Sequence, residues 1–138
     1  MTVERIDKRT RHILKEAREL AKEIELKEEG LRELLMQTVS SPSMDGMPKG
    51  SGGHDASAAR LAREEAMRED IQRGKERLQR IRRAANRGIK PLSASRRIFY
   101  QIYYIDAQKA SAARTMARIS ERTAQRYISD INKKETGG

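Results

Sequence analysis

The sequence predicts an all-α protein. An N-terminal antiparallel helical hairpin, coiled-coil-like, is followed by a C-terminal three-helix domain with a helix-turn-helix. Three observations lead there. Apolar residues recur at helical spacing along two long stretches free of proline. Of 138 residues only 36% are apolar and 4% aromatic, while 36% are charged, so the core must lie in narrow helix seams. Every aromatic residue, four Tyr and one Phe, falls at or after Phe99, which marks a small compact domain there. The chain therefore divides into 1–90 and 91–138.

The first helix is expected from Val3 to about Gln37. One seam row is Val3, Thr10, Ala17, Ile24 and Leu31; the other is Ile6, Ile13, Leu20, Lys27 and Leu34. Lys27 is the main break and Thr10 a mild one. So narrow a stripe is buried only against another helix. Residues 38–55, rich in Gly, Ser and Pro, lose the period and read as a loop. They lack the strand that a phosphate-binding glycine loop requires, and Lys49-Gly50-Ser51 is in the wrong order for one.

The second helix is expected from about Asp55 to Ala85, with Asp55 or Ser57 as its cap. Its seam is Met67, Ile71, Gly74, Leu78, Ile81 and Ala85, with Gly74 either a weak point or a place of close helix approach. Arg73, Lys75, Arg77, Arg80, Arg82, Arg83 and Arg87 make its second half basic, as a solvated face or as a phosphate-contacting flank. Asn86, Gly88 and Pro91 end it.

Helix three is expected from Ser93 or Ser95, with Ile98, Phe99, Ile102 and Ile105 inward. A turn at Asp106–Lys109 leads to helix four, Ala110–Ala117, and helix five runs from Ser120 to about Asn132. Ala113 and Ala117 permit a close crossing, and Met116 and Ile119 are expected to fill the corner. Ser120 is an N-cap, followed by Glu121 where a helix dipole favours a carboxylate. At 100° per residue, Ala124, Tyr127, Ile128 and Ile131 share one side of helix five. Arg122, Arg126, Ser129 and Lys133 lie opposite, with Gln125 on the shoulder.

Charge narrows the function. The chain has 30 Lys and Arg against 20 Asp and Glu, a net +10. Residues 1–37 hold nine of each sign; the excess arises after residue 54, with 11 against 6 over 55–90 and 9 against 4 over 91–138. A basic half suits a polyanion. With no Cys, and His12 and His54 as the only histidines, neither a disulfide, a zinc site nor any other metal site is expected. No cofactor is expected. No nucleophile is paired with a base, so the protein is not expected to be an enzyme. No apolar stretch approaches a membrane span. The expected protein is soluble, without membrane association, and cytoplasmic.

On this reading Arg122, Gln125, Arg126 and Ser129 face the major groove, where Arg pairs with guanine and Gln with adenine edges. Lys109, Arg114, Arg118, Ser120 and Lys133 would hold phosphates and fix register.

The run Phe99-Tyr-Gln-Ile-Tyr-Tyr-Ile-Asp106 and the following Ile119-Ser-Glu-Arg-Thr-Ala-Gln-Arg126 resemble the C-terminal domain of the RinA and ArpU group of phage transcriptional regulators. In that group an aromatic-rich helix precedes a helix-turn-helix similar to region four of sigma factors. The Pro/Gly-rich stretch Ser41–Gly52 is similar to the segment between the two N-terminal helices of related prophage proteins. The Ala-rich helix four departs from the larger apolar residues of many relatives. The resemblance implies a prophage-encoded activator of late genes, acting in the bacterial host's nucleoid on double-stranded DNA. Host RNA polymerase would be a further partner, and the N-terminal helices a site of homo-oligomerisation. Base reading would fall on Arg122, Thr123, Gln125 and Arg126. The alternative is a small-terminase-like packaging adaptor, which also joins a helix-turn-helix to oligomerising helices.

Overall fold

The computed structural model describes residues 6–40 and 51–133, without the side chains of 38–40 and 51–55. The described chain is all-helical: α1 (Lys8–Ser40), α2 (Ser51–Ile89), α3 (Ala94–Tyr100), a π-helical segment (Gln101–Ile105), α4 (Ala110–Ala117) and α5 (Glu121–Asn132). Among these residues no helix is long and apolar enough to cross a membrane.

Two compact units are present, one of residues 1–22 with 77–138, the other of residues 23–76. Within the first, α1 starts at Lys8 rather than Val3, because Asp7 caps it. The Asp7 carboxylate accepts the Thr10 N–H at 2.8 Å. The Thr10 hydroxyl and N–H together hold this carboxyl below its ordinary range. Val3 lies outside the described residues. Ile6, Thr10, Leu14, Ala17 and Leu20 are buried. Leu14 thus occupies the seam expected of Ile13, which is half-buried. Both positions lie on the face that carries Thr10 and Ala17, and the 3.6-residue period of a straight helix lets the buried stripe drift from a strict heptad. Thr10 breaks nothing, since its side chain abuts Gly88.

α2 continues past Ala85 to Ile89, so Gly88 is helical instead of terminal; a Cβ there would meet Thr10 Oγ1 at 2.6 Å. Glycine admits this approach. Leu78, Ala85 and Ile89 are buried, while Ile81 is half-buried. Arg77 pairs with Glu16 at 2.7 Å. The contacts 10–88 and 16–77 run in opposite chain directions.

In the second unit the same ordering recurs. Gly74 faces Ile24, Gly30 faces Met67, Lys27 pairs with Asp70 and Lys75 with Glu28, both at 2.8 Å. Gly74 is a place of close approach: a Cβ would lie 3.2 Å from Ile24 Cγ1. Ile24 and Ile71 are buried and Leu31 half-buried. Lys27, which interrupts the apolar row, supplies an ion pair across the two helices. The stretch expected as loop, 38–55, is partly helical: α1 takes in 38–40 and α2 takes in 51–55. Helices propagate readily once formed. Asp55 and Ser57 therefore lie inside α2 and not at its cap; the rest of that stretch lies outside the described residues.

The aromatic core belongs to the first unit. Ser93 stands at the N-cap position of α3. Phe99, Tyr100, Tyr104 and Ile105 are buried with Ala113, Ala117, Ala124 and Ile131. Phe99 stacks on Tyr103 and meets Tyr100 and Tyr127 edge-on. Ile98, expected inward, is 37% exposed. The π segment explains the change. Its bond from the Asp106 N–H to Gln101 O inserts one extra residue per turn and brings Tyr104 and Ile105 beneath Phe99 and Tyr100.

Candidate nucleic-acid interface

α4 and α5 are joined by Arg118, Ile119 and Ser120. α4 ends because Arg118 takes left-handed backbone angles, φ 57 and ψ 50. That conformation is one glycine usually supplies. The Arg118 and Ile119 N–H groups then donate to Thr115 O and Arg114 O. Ala113 and Ala117 are buried beneath the corner, and Ile119 packs against the core. Met116 does not fill the corner. It is 63% exposed, because the 113/117 face points inward and 116 sits a quarter-turn away from 117.

α5 is capped as its sequence requires. Ser120 Oγ accepts the Thr123 N–H at 3.1 Å and donates to Thr123 Oγ1. Ala124 and Ile131 are buried, and Tyr127 and Ile128 pack against the core. Arg122, Gln125, Arg126, Ser129 and Lys133 are exposed. Thr123 is half-buried, and both it and Ser120 are engaged in the cap. Lys109 is exposed at the N-cap position of α4, and Arg118 is exposed at the turn. Arg114 is half-buried. Its guanidinium lies 3.8 Å from the Glu121 carboxylate, and among the described residues its buried Nε has no hydrogen-bond partner.

α5 is held from behind by α3. Tyr100 donates its hydroxyl proton to Tyr127 O at 3.0 Å, and Arg96 pairs with Asp130 at 2.9 Å while covering the Tyr127 ring. Burial pushes the Tyr100 and Tyr104 hydroxyls well above the ordinary tyrosine range, so both stay protonated.

Two arginines that sequence reasoning missed as positioning residues serve the π segment. Arg18 of α1 donates to Tyr103 O and to Gln108 O, and its guanidinium lies 3.9 Å from the Tyr103 ring centroid. Arg82 Nε donates to Ile105 O at 2.9 Å. Carbonyls left open where helical bonding ends are a favoured place for cations. No residue spacing announces these contacts, because the partners are 85 and 23 residues away.

No protein-family model matches the chain, and no curated protein or solved structure gives a significant match.

Proposed function

We propose that this protein is a sequence-specific regulator of transcription that binds double-stranded DNA. In this reading α4 and α5 act as a helix-turn-helix, and α1 and α2 form an antiparallel hairpin that serves oligomerisation. The observation that carries it is the outer face of α5. Arg122, Gln125, Arg126 and Ser129 are exposed along the first three turns of a capped helix, opposite Ala124 and Ile131. Arg and Gln are the side chains best suited to bidentate reading of guanine and adenine, and a recognition helix does so from its N-terminal part. Lys109 and Arg118, exposed at the start of α4 and at the turn, take phosphates, as does Lys133. Ser120 and Thr123 act chiefly by capping α5. The resemblance of residues 98–127 points further, to a phage or prophage late-gene activator working with host RNA polymerase.

The test is a set of titrations at several salt concentrations, on a duplex enriched for binding and on its scrambled counterpart. Arg126→Ala or Gln125→Ala should cost about 1–3 kcal/mol on the enriched duplex and relax preference at one base position. Arg118→Ala should weaken both duplexes alike and lower the salt slope by about one. If substitutions at Arg122, Gln125 and Arg126 leave the ratio between the two duplexes untouched, α5 is not a reading helix.

A further inference from the structure

No acidic residue occurs from Arg77 to Ile105, although the stretch holds eight Lys and Arg. Four of these serve the fold. Arg77 pairs with Glu16, Arg82 donates to Ile105 O, Arg96 pairs with Asp130, and Arg97 donates to Lys90 O and Leu92 O. The other four are Arg80, Arg83, Arg87 and Lys90. All are exposed, and among the described residues none of their side chains has a hydrogen bond or ion pair.

These four fall together. At 100° per residue, Arg80, Arg83 and Arg87 lie within an arc of about 60°, with Lys90 just beyond the helix end beside it. The buried Leu78, Ala85 and Ile89 lie on the opposite side. Like charges at these spacings destabilise a helix. Earlier in α2 the basic residues Arg68 and Lys75 have carboxylate partners, Glu64 and Glu28; along this row they do not.

We propose that Arg80, Arg83, Arg87 and Lys90 form a second DNA-contacting surface that takes the phosphates of a duplex regardless of base sequence. The proposal rests on the DNA-binding reading above and adds a surface outside the helix-turn-helix. From Arg80 to Arg87 the row is about 10 Å long, a length over which duplex DNA presents about six charges. From Arg80 to Arg87 no other residue falls within that arc; Gln79 and Asn86 flank it on one side and Ala84 on the other. Without an apolar anchor, the row suits a solvated polyanion and not an anionic membrane.

The experiment uses the full chain with Arg80→Gln, Arg83→Gln and Arg87→Gln combined, against the enriched and scrambled duplexes across a salt series. The slope of log affinity against log salt should fall by about two to three. Both duplexes should weaken by the same factor, so their ratio should hold. Far-UV circular dichroism should be unchanged, and the melting temperature should hold or rise slightly as the repulsion along the row is relieved. An unchanged slope overturns the proposal; so does a loss confined to binding of phosphatidylserine vesicles. Arg126→Ala run alongside separates the two ideas. If it collapses the duplex ratio while the triple variant keeps the wild-type slope, only the row on α2 fails. If the wild type shows no duplex preference while the triple variant flattens the slope, the reading role of α5 fails and the row stands.

Discussion

Residues 23–76 carry 8 Lys and Arg against 12 Asp and Glu, a net charge of −4; residues 1–22 with 77–138 carry 22 against 8, a net +14. The acidic unit spends its charges on itself, through Lys27–Asp70, Lys75–Glu28 and Arg68–Glu64. Among the described residues it buries only Ile24 and Ile71 fully enough to count as core. The basic unit buries Leu92, Phe99, Tyr100, Tyr104, Ile105 and Ile131 in its C-terminal core and turns Arg18, Arg82 and Arg97 onto backbone carbonyls. Exposed ion pairs contribute little, whereas buried rings contribute several kcal/mol. The difference teaches that sign and stability are divided together: the unit with the firmer core is also the one that holds unpaired positive charge.

The largest expected effect is in the cores. Phe99→Ala should cost about 3–5 kcal/mol, because it empties the centre of the aromatic cluster. Ile71→Ala should cost about 2 kcal/mol, near the low end for a buried aliphatic. Urea unfolding measures both, and an Ile71 cost equal to that of Phe99 would break the comparison.

Next come two glycines, one in each unit. Gly88→Ala should destabilise by about 1–3 kcal/mol, since the new methyl meets Thr10 Oγ1 at 2.6 Å and Cγ2 at 2.8 Å. Adding Thr10→Ala should recover most of the loss. Gly74→Ala should be near neutral, because the helix-propensity gain of about 1 kcal/mol offsets a 3.2 Å contact with the flexible Ile24 side chain. Thermal melting of the two variants sharpens the contrast; equal losses would remove it.

Arg118→Gly tests whether the basic unit carries backbone strain for a charge. Relief of the left-handed conformation should raise stability by about 1 kcal/mol; on the proposed DNA-binding reading, the salt slope should fall by about one. A variant that melts lower than the wild type would show that Arg118 contributes packing instead.

The smallest effect is on pH, in the acidic unit. The Lys27 ammonium holds the Asp70 carboxyl below its ordinary value of 3.8, and Asp70 raises Lys27 above 10.5. The Asp70 contribution is present above its unfolded value and is lost as pH falls through the lowered folded one. The Lys27 contribution is present below its unfolded value and is lost as pH rises through the raised folded one. Asp70→Asn should therefore flatten the acid limb of stability against pH while leaving neutral melting little changed. An acid limb identical to that of the wild type would exclude the pair as its source.

Local chemistry made α4 and α5 legible. Ser120, the spacing of Ala113 and Ala117, and the Ala124–Ile131 period fix their bounds and inward faces from residues no more than a few positions apart. The outward set on α5 follows from the same period. Asp7 followed by Thr10 was a readable cap, passed over because the apolar row begins at Val3. Tertiary structure decided the rest. Ile98, expected inward, is left exposed while Tyr104 is buried, because a π turn shifts the register, and that turn closes on Arg18 and Arg82, brought in from distant positions. Met116 faces outward because α4 packs through Ala113 and Ala117, and the packing of Ala117 and Ile119 holds Arg118 in a left-handed conformation that its side chain disfavours. The basic end of α1 joins the basic C-terminal residues in one unit, a grouping that summing charge along the chain cannot reveal. Periodicity and caps act over a turn or two of helix, so the sequence alone determined them. Register shifts, carbonyl capping and the pooling of charge depend on which distant segments meet, and only the folded chain decides that.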